Sequence, residues 1–507
     1  MKRFYKLLLL TAFMGAAFSS CDVDSTNFSL DDRDVYIESI IIEASKNPCI
    51  EEDIEVSVTN YSRSITASLP ENCDASEMVL TIHLQEGITT SPASGESFST
   101  GTSTLLVSGF GLEEEYTVNL KVLAPFESDV EFVSVWRVDA NGSITLPLIE
   151  TGTYNFKVFW GDGQESIVAT YDLESATHTY AEAGDYTVTV WGEINGFNFD
   201  MTKMSASNII DITNWGQVKL GNDGGYFRKC TNLQITAEDA PDLSETTNFR
   251  AMFREATSFN SDIDHWDVSS VTSMWDMFYK ANNFNQPLGQ WDVGNVTTFE
   301  TMFSESAFNQ DISGWDVSSA TTMKNMFRNC PFNQPIGNWD VSNVTNFQST
   351  FRQNDAFDQD LSGWGDKLGN VVTMREMFRE SDYNGDLSAW DVSKVVSMWD
   401  MFKDSGFNNP SINNWNVSGL DNMETMFGGV NCAFNQDISG WDVSNVVNMQ
   451  NLFKENISFN QDLSGWDVSN VMCNYDFDTD APQWEDAHKP NFVADKTDNN
   501  EFCNRDN

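Results

Sequence analysis

The chain has 507 residues and a formal net charge of −48 at pH 7, from 28 Lys and Arg against 76 Asp and Glu. A chain this long exceeds what one hydrophobic core usually serves and points to about three domains. Its acidic field repels nucleic acid and anionic lipid headgroups, which argues against both as partners and leaves cations and basic surfaces as what it attracts.

At the start of the chain Lys2, Arg3 and Lys6 precede an apolar run from Leu7 to Phe18. The run is too short to span a bilayer and suits a secretory signal over residues 1–20. Ser19 and Ser20 stand just before Cys21, an arrangement that resembles a bacterial lipobox, with Phe18 where Leu is usual. Asp22 and Asp24 resemble the acidic export signals of Gram-negative surface lipoproteins. These resemblances imply a lipid on Cys21, a tether over 21–35 and a place on the outer-membrane surface, where lipid alone supplies the anchor. Seven cysteines remain beyond Cys21, with no CxxC pair and hence no recognisable metal site. Cys49 and Cys73 are a candidate disulfide of an exported domain, and at least one other thiol stays unpaired.

Between Tyr36 and Val122, alternating stretches such as Tyr36–Ile42 and Tyr116–Val122 are separated by Gly, Ser and Pro turns. This predicts a small all-β sandwich over 36–123. The segment from Glu86 to Gly95 with its closing strand resembles Ig-like modules of bacterial surface lipoproteins. A second β-rich region, 126–204, carries Phe159-Trp-Gly-Asp-Gly163 and His178-Thr-Tyr180, followed by Gly184-Asp-Tyr-Thr-Val-Thr-Val190. In this order the motifs resemble a PKD-type β-sandwich, which implies a spacer or weak binding unit. His178 reads as structural, since no nucleophile or carboxylate stands at a recognisable spacing from it.

From residue 205 to 477 the sequence repeats itself. Tryptophans at 266, 291, 315, 339, 364, 390, 415, 441 and 466 recur every 24 to 26 residues, the period of stacked coils. In Ile438-Ser-Gly-Trp-Asp-Val-Ser-Asn-Val446 the apolar positions match the strand and turn of a leucine-rich repeat. Met323, Met326 and Phe327 then follow at a helical spacing of three and one. The expected fold class is therefore mixed: two all-β sandwiches, then an α/β leucine-rich-repeat-like solenoid of about nine full coils plus an N-terminal cap over 205–477, with a C-terminal cap or tail over 478–507. Trp, Val, Met and Phe form its inner columns, and an Asn column satisfies turn backbone from coil to coil. The core Phe-Asn-Gln-Asp-Ile-Ser-x-Trp-Asp-Val-Ser-x-Val resembles the BspA-like leucine-rich repeat surface family, the 26-residue bacterial surface-protein repeat. That resemblance implies an adhesin-like or interaction protein at the cell surface. Two coils depart from it: Trp364 lies ten residues before Met374 where eight is usual, and Gly365 and Asn416 replace the Asp after Trp.

If Trp and Val point inward, the Asp between them points out. Asp267, Asp292, Asp316, Asp340, Asp391, Asp442 and Asp467 thus make an exposed file, a candidate contact surface or cation site. Carboxylates about 5 Å apart repel by roughly 0.8 kcal/mol in bulk water. The following Ser hydroxyls offset this more readily than calcium, since no EF-hand or glycine-rich calcium loop is present. So regular a file lacks the asymmetry a catalytic carboxylate pair needs, and no enzyme activity is expected. The leading reading is an adhesin-like or protein-interaction lipoprotein with no cofactor. The alternative is an accessory glycan-binding lipoprotein of a carbohydrate-uptake system, with Trp275 and Trp399 outside the inner columns as stacking platforms.

Overall fold

The computed structural model describes residues 36–492 and Cys503, apart from 51, 61–62, 70–72, 74–77, 99–102, 123–130 and 203–205. Cys21, the signal 1–20 and the tether 21–35 lie outside the described residues. The chain forms two compact units, Met1–Pro125 and Phe126–Asn507.

In the first unit the strands are Ile37–Ile42 (β1), Ile54–Thr59 (β2), Ser64–Leu69 (β3), Met78–Val79 (β4), Thr81–Leu84 (β5), Ile88–Ser91 (β6), Ser97–Phe98 (β7), Ser103–Gly109 (β8) and Leu112–Val122 (β9). Aliphatic, mostly β-branched residues of these strands, among them Ile37, Ile40, Ile65, Leu105, Val107 and Val118, are buried in a common core. Seven strands join in one sheet of order β5-β1-β2-β3-β9-β8-β6, with β4 and β7 paired beside it. Cys49 and Cys73 are disulfide-bonded within this unit.

The second unit begins with Glu131–Val138 (β10), Ser143–Thr145 (β11), Leu148–Phe159 (β12), Glu165–Val168 (β13), Thr177–Thr179 (β14) and Gly184–Phe197 (β15). A four-residue helix, Phe199–Thr202 (α1), and the strands Ile209–Asn214 (β16) and Gln234–Ile235 (β17) follow. The six-stranded sheet runs β13-β12-β15-β10-β16-β17, so it continues past residue 205 into the repeats. One hydrophobic core extends accordingly from Phe132 to Trp484. The Gly-Asp-Gly turn has both glycines at positive φ, 86° and 92°, where a side chain would be strained. Between them Asp162 meets the His178 ring at 2.7 Å, Trp160 stacks on His178, and the Tyr180 hydroxyl donates to the Trp160 carbonyl at 2.8 Å. His178 thus has a carboxylate partner after all, inside the motif itself, and the pair clasps a turn.

The α/β leucine-rich-repeat-like solenoid expected over 205–477 does not form. No α-helix occurs among the described residues of that stretch, and the mixed class gives way to an almost wholly β one. The coils are built from turns, joined by one parallel bridge per coil that runs Asn248, Ser273, Thr298, Thr322, Asn346, Thr373, Ser397, Asn422, Asn448, Cys473. The Met–Phe segment explains why a helix is avoided. Phe249, Ala251, Phe253 and Glu255 each donate their N–H to the next coil, to the carbonyls of Ser273, Trp275, Met277 and Tyr279, all at 2.8 Å. Only Met252, Arg254 and Ala256 bond within the coil, three residues back. Alternate N–H groups therefore belong to the neighbour, whereas a helix would keep all of them. The geometry requires left-handed residues, and Ala251 and Glu255 have φ of 54° and 60°. Met and Phe at a spacing of three and one still face inward, because successive tight turns share that spacing with a helix.

Around tryptophan the expected strand is also absent, although the inward and outward alternation holds: Trp441 and Val443 are buried and Asp442 is exposed. Here side chains carry the ladder. Trp441 Nε1 donates to the Ile412 carbonyl at 3.0 Å, and Asn445 Nδ2 donates to the Ser418 carbonyl at 2.9 Å. Phe253, Phe278, Phe303 and Phe327 stack in a column with centroids 5.6 to 6.0 Å apart. The Asn column caps the next coil: Asn309 N–H donates to Asn285 Oδ1, and Asn333 N–H to Asn309 Oδ1, each at 2.8 Å. The two departing coils take up their differences as 3-10 turns, Ser362–Leu368 around Trp364 and Pro410–Ile412 before Trp415. At the far end Trp484 packs edge-on against Phe453 and Phe459, and a disulfide joins Cys473 to Cys503. Cys230, Cys330 and Cys432 are buried free thiols.

Candidate functional site

The Asp file is real as a surface, and its chemistry is that of repeated Asx turns. Asp267 Oδ1 accepts the Ser269 N–H at 3.1 Å and its hydroxyl at 2.6 Å. Asp316 and Asp340 accept from the backbone of Ser318 and Ser342, Asp391 from Ser393, Asp442 from Ser444 and Asp467 from Ser469. Asp292 accepts from Gly294. Such bonds favour the charged form. Ser hydroxyl and N–H donors hold the carboxyls of Asp267, Asp316, Asp391, Asp442 and Asp467 below the usual carboxylate range. Asn416, which replaces Asp in one coil, makes the same two bonds to Ser418, at 3.2 and 2.7 Å. The turn therefore also forms without a carboxylate, so the charge adds to its stability without being essential to it.

A second acidic file went unread in the sequence. Asp311, Asp360, Asp386, Asp437 and Asp462 are exposed and accept from the N–H two residues on, at 2.8 to 3.0 Å. Their Asp-x-Ser spacing is the same signal as in Asp-Val-Ser and could have found them. Among the described residues no group of three or more His, Cys, Asp or Glu is placed to hold a metal ion. The calcium reading thus gains no ligand set, while the serine donors account for the lowered carboxyls.

Trp275 and Trp399 do lie outside the inner columns. Each has one indole face covered: the Arg250 guanidinium lies 4.7 Å from the Trp275 ring centroid and that of Arg375 lies 4.3 Å from Trp399. The guanidinium occupies one face of each indole, and Trp275 remains 39% exposed. Beneath them Asp276 and Asp400 are 7% and 2% exposed. Arg254 pairs with Asp276, and Arg379 with Asp400 at 2.6 Å. Burial nevertheless pushes both carboxyls up, outweighing the neighbouring cations.

Further round the coils, Asp355, Glu380, Asp382 and Asp404 line an open cleft of about 700 Å³ with Asn329, Gln353, Val430 and Asn431. The Asp355 carboxyl is raised there by burial and by the charges of Asp382 and Glu380. Among the described residues no helix is long and apolar enough to cross a membrane.

The repeats have a counterpart among known families. A family model described as a Mycoplasma protein of unknown function, DUF285, matches residues 221–331, 305–411 and 405–500. No curated protein matches the chain. The three matched stretches follow the stacked coils from end to end and together cover more than half of the sequence, so the chain belongs to the DUF285 family.

Proposed function

We propose that the protein is a cell-surface lipoprotein, held at Cys21 on the outer membrane of a Gram-negative bacterium, that binds an extracellular protein through the acidic side of its stacked coils. The observation that carries this reading is the charge left over on the two Asp files. Asn416 shows that the Asx turn folds without a carboxylate, yet seven coils keep Asp after Trp. A charge that is not essential to the turn, repeated coil by coil on an exposed surface, suits a partner with a basic face. The work is contact, with no catalytic step and no cofactor.

The experiment is binding of the full chain to a panel of immobilised extracellular matrix proteins and glycans, beside a variant with the seven file residues changed from Asp to Asn. The reading expects a basic protein to bind wild type and to lose affinity for the variant. Binding of one glycan class that ignores the Asp changes would replace it. Palmitate labelling that disappears in Cys21→Ser tests the anchor independently.

A further inference from the structure

The ladder also aligns a second surface, two residues beyond each bridged position. In coil order this column reads Arg250, Trp275, Glu300, then Lys324 and Gln348, then Arg375, Trp399, Glu424. The triplet Arg–Trp–Glu thus occurs twice, five coils apart, and its surroundings repeat with it. Both Trp residues carry a guanidinium from the preceding coil. Both stand beside a buried Asp, 276 or 400, ion-paired to an Arg, 254 or 379. Thr301 and Thr425 follow Glu300 and Glu424 alike.

This face differs from the rest of the molecule in charge. In the four columns at two, three, six and seven residues past the bridge, the second of them largely buried, ten Lys and Arg meet ten Asp and Glu from the coil of Asn248 to that of Asn448. A chain with a net charge of −48 thus has one neutral side. Two such chains can approach each other there without the repulsion that meets them elsewhere.

The order of the column is complementary to its own reverse. We propose that this face pairs two copies of the chain antiparallel, about a two-fold axis between the coils of Lys324 and Gln348. Arg250 then lies opposite the partner's Glu424, Trp275 opposite the partner's Trp399, Glu300 opposite the partner's Arg375, and Lys324 opposite the partner's Gln348. The two-fold axis makes each pairing twice, as an isologous interface requires. A parallel alignment, in register or shifted by five coils, sets Arg on Arg and Glu on Glu. From Arg250 to Glu424 is seven steps of about 4.8 Å, a strip about 34 Å long, and Trp and Arg are the residue types that dominate interface energetics. The contact leaves the exposed Asp files free for another partner and does not depend on what that partner is.

Sedimentation equilibrium of the full chain tests the pairing. Wild type is expected to show a concentration-dependent monomer–dimer equilibrium. Arg250→Glu with Arg375→Glu sets carboxylates against carboxylates and is expected to raise the dimer dissociation constant by about 100-fold or more. Adding Glu300→Arg and Glu424→Arg restores complementarity and is expected to restore the dimer, while circular dichroism confirms an unchanged fold. As a second readout, the double variant Trp275→Cys, Trp399→Cys is expected to form interchain disulfides that join position 275 to position 399. Wild type that stays monomeric, a reversal variant that dimerises as well as wild type, a four-fold variant that does not recover, or crosslinks that join 275 to 275 would each overturn the proposal.

Discussion

Twice in each coil the backbone turns left-handed, at residues other than glycine except for Gly429, among them Thr301 at a φ of 60° and, in the next coil, Asn325 at 56°. The left-handed region costs a β-branched residue more than Asn, whose short polar side chain visits it readily. Thr301→Asn is therefore expected to stabilise the protein by about 1 kcal/mol and Asn325→Val to destabilise it by about 1 to 2 kcal/mol, as read by urea titration. The Asp residues at the Asx turns give a pH prediction of definite sign. Serine donors lower the folded-state carboxyls of Asp267, Asp316, Asp391, Asp311 and Asp437 from an ordinary 3.8. Their contribution is complete above that ordinary value and is lost as the pH falls through the lowered one. Asp276, Asp400 and Glu424 work the other way: burial raises them, so mild acid relieves their cost. The thermal midpoint is expected to hold or rise slightly down to about pH 5 and to drop below about pH 4, measured by calorimetry at constant ionic strength.

At the scale of the coil, stability lies in columns that cross from one repeat to the next. Trp339 fills an inner slot and donates Nε1 to the Ile312 carbonyl at 3.2 Å. Trp339→Ala should cost about 3 to 5 kcal/mol through the cavity it leaves and the carbonyl it abandons. Asn309 accepts both the Asn333 N–H and Gln334 Nε2, at 2.8 and 2.9 Å, so Asn309→Ala should cost about 1 to 3 kcal/mol. Denaturant midpoints of the two variants check both figures. The inward Trp and the Asn ladder were legible in the sequence because each rests on one residue type recurring at one period. The backbone of the Met–Phe segment was not. A spacing of three and one fits a helix and a run of tight turns equally well, and the left-handed positions hold Ala, Asp, Asn, Glu, Gln, Gly, Lys, Ser and Thr, which give no common signal. The second acidic file escaped notice because Pro287 and Pro335 interrupt it. The Arg–Trp–Glu duplication is not legible at the period of one coil, because it recurs only after five.

Over the whole molecule, the sheet begun by β10, β12 and β15 hands its hydrogen bonding to β16 and β17 and thence to the coils. Stacked coils expose an unsatisfied ladder at each end. Here the sheet covers one end, while Trp484 and the Cys473–Cys503 disulfide cover the other. What is left to solvent is divided by charge, with a balanced column of Arg, Trp and Glu and two files of Asp whose turns form without charge where Asn416 replaces Asp. Those exposed carboxylates are the proposed contact surface. Its most direct measurement is the affinity of the full chain for its basic partner as a function of salt, compared with the variant carrying Asn at all seven positions of the first file. That variant is expected to stay folded with a modestly lower thermal midpoint at neutral pH, to bind more weakly and to show a shallower dependence on salt. Equal affinity and an equal salt slope in the two proteins would contradict it.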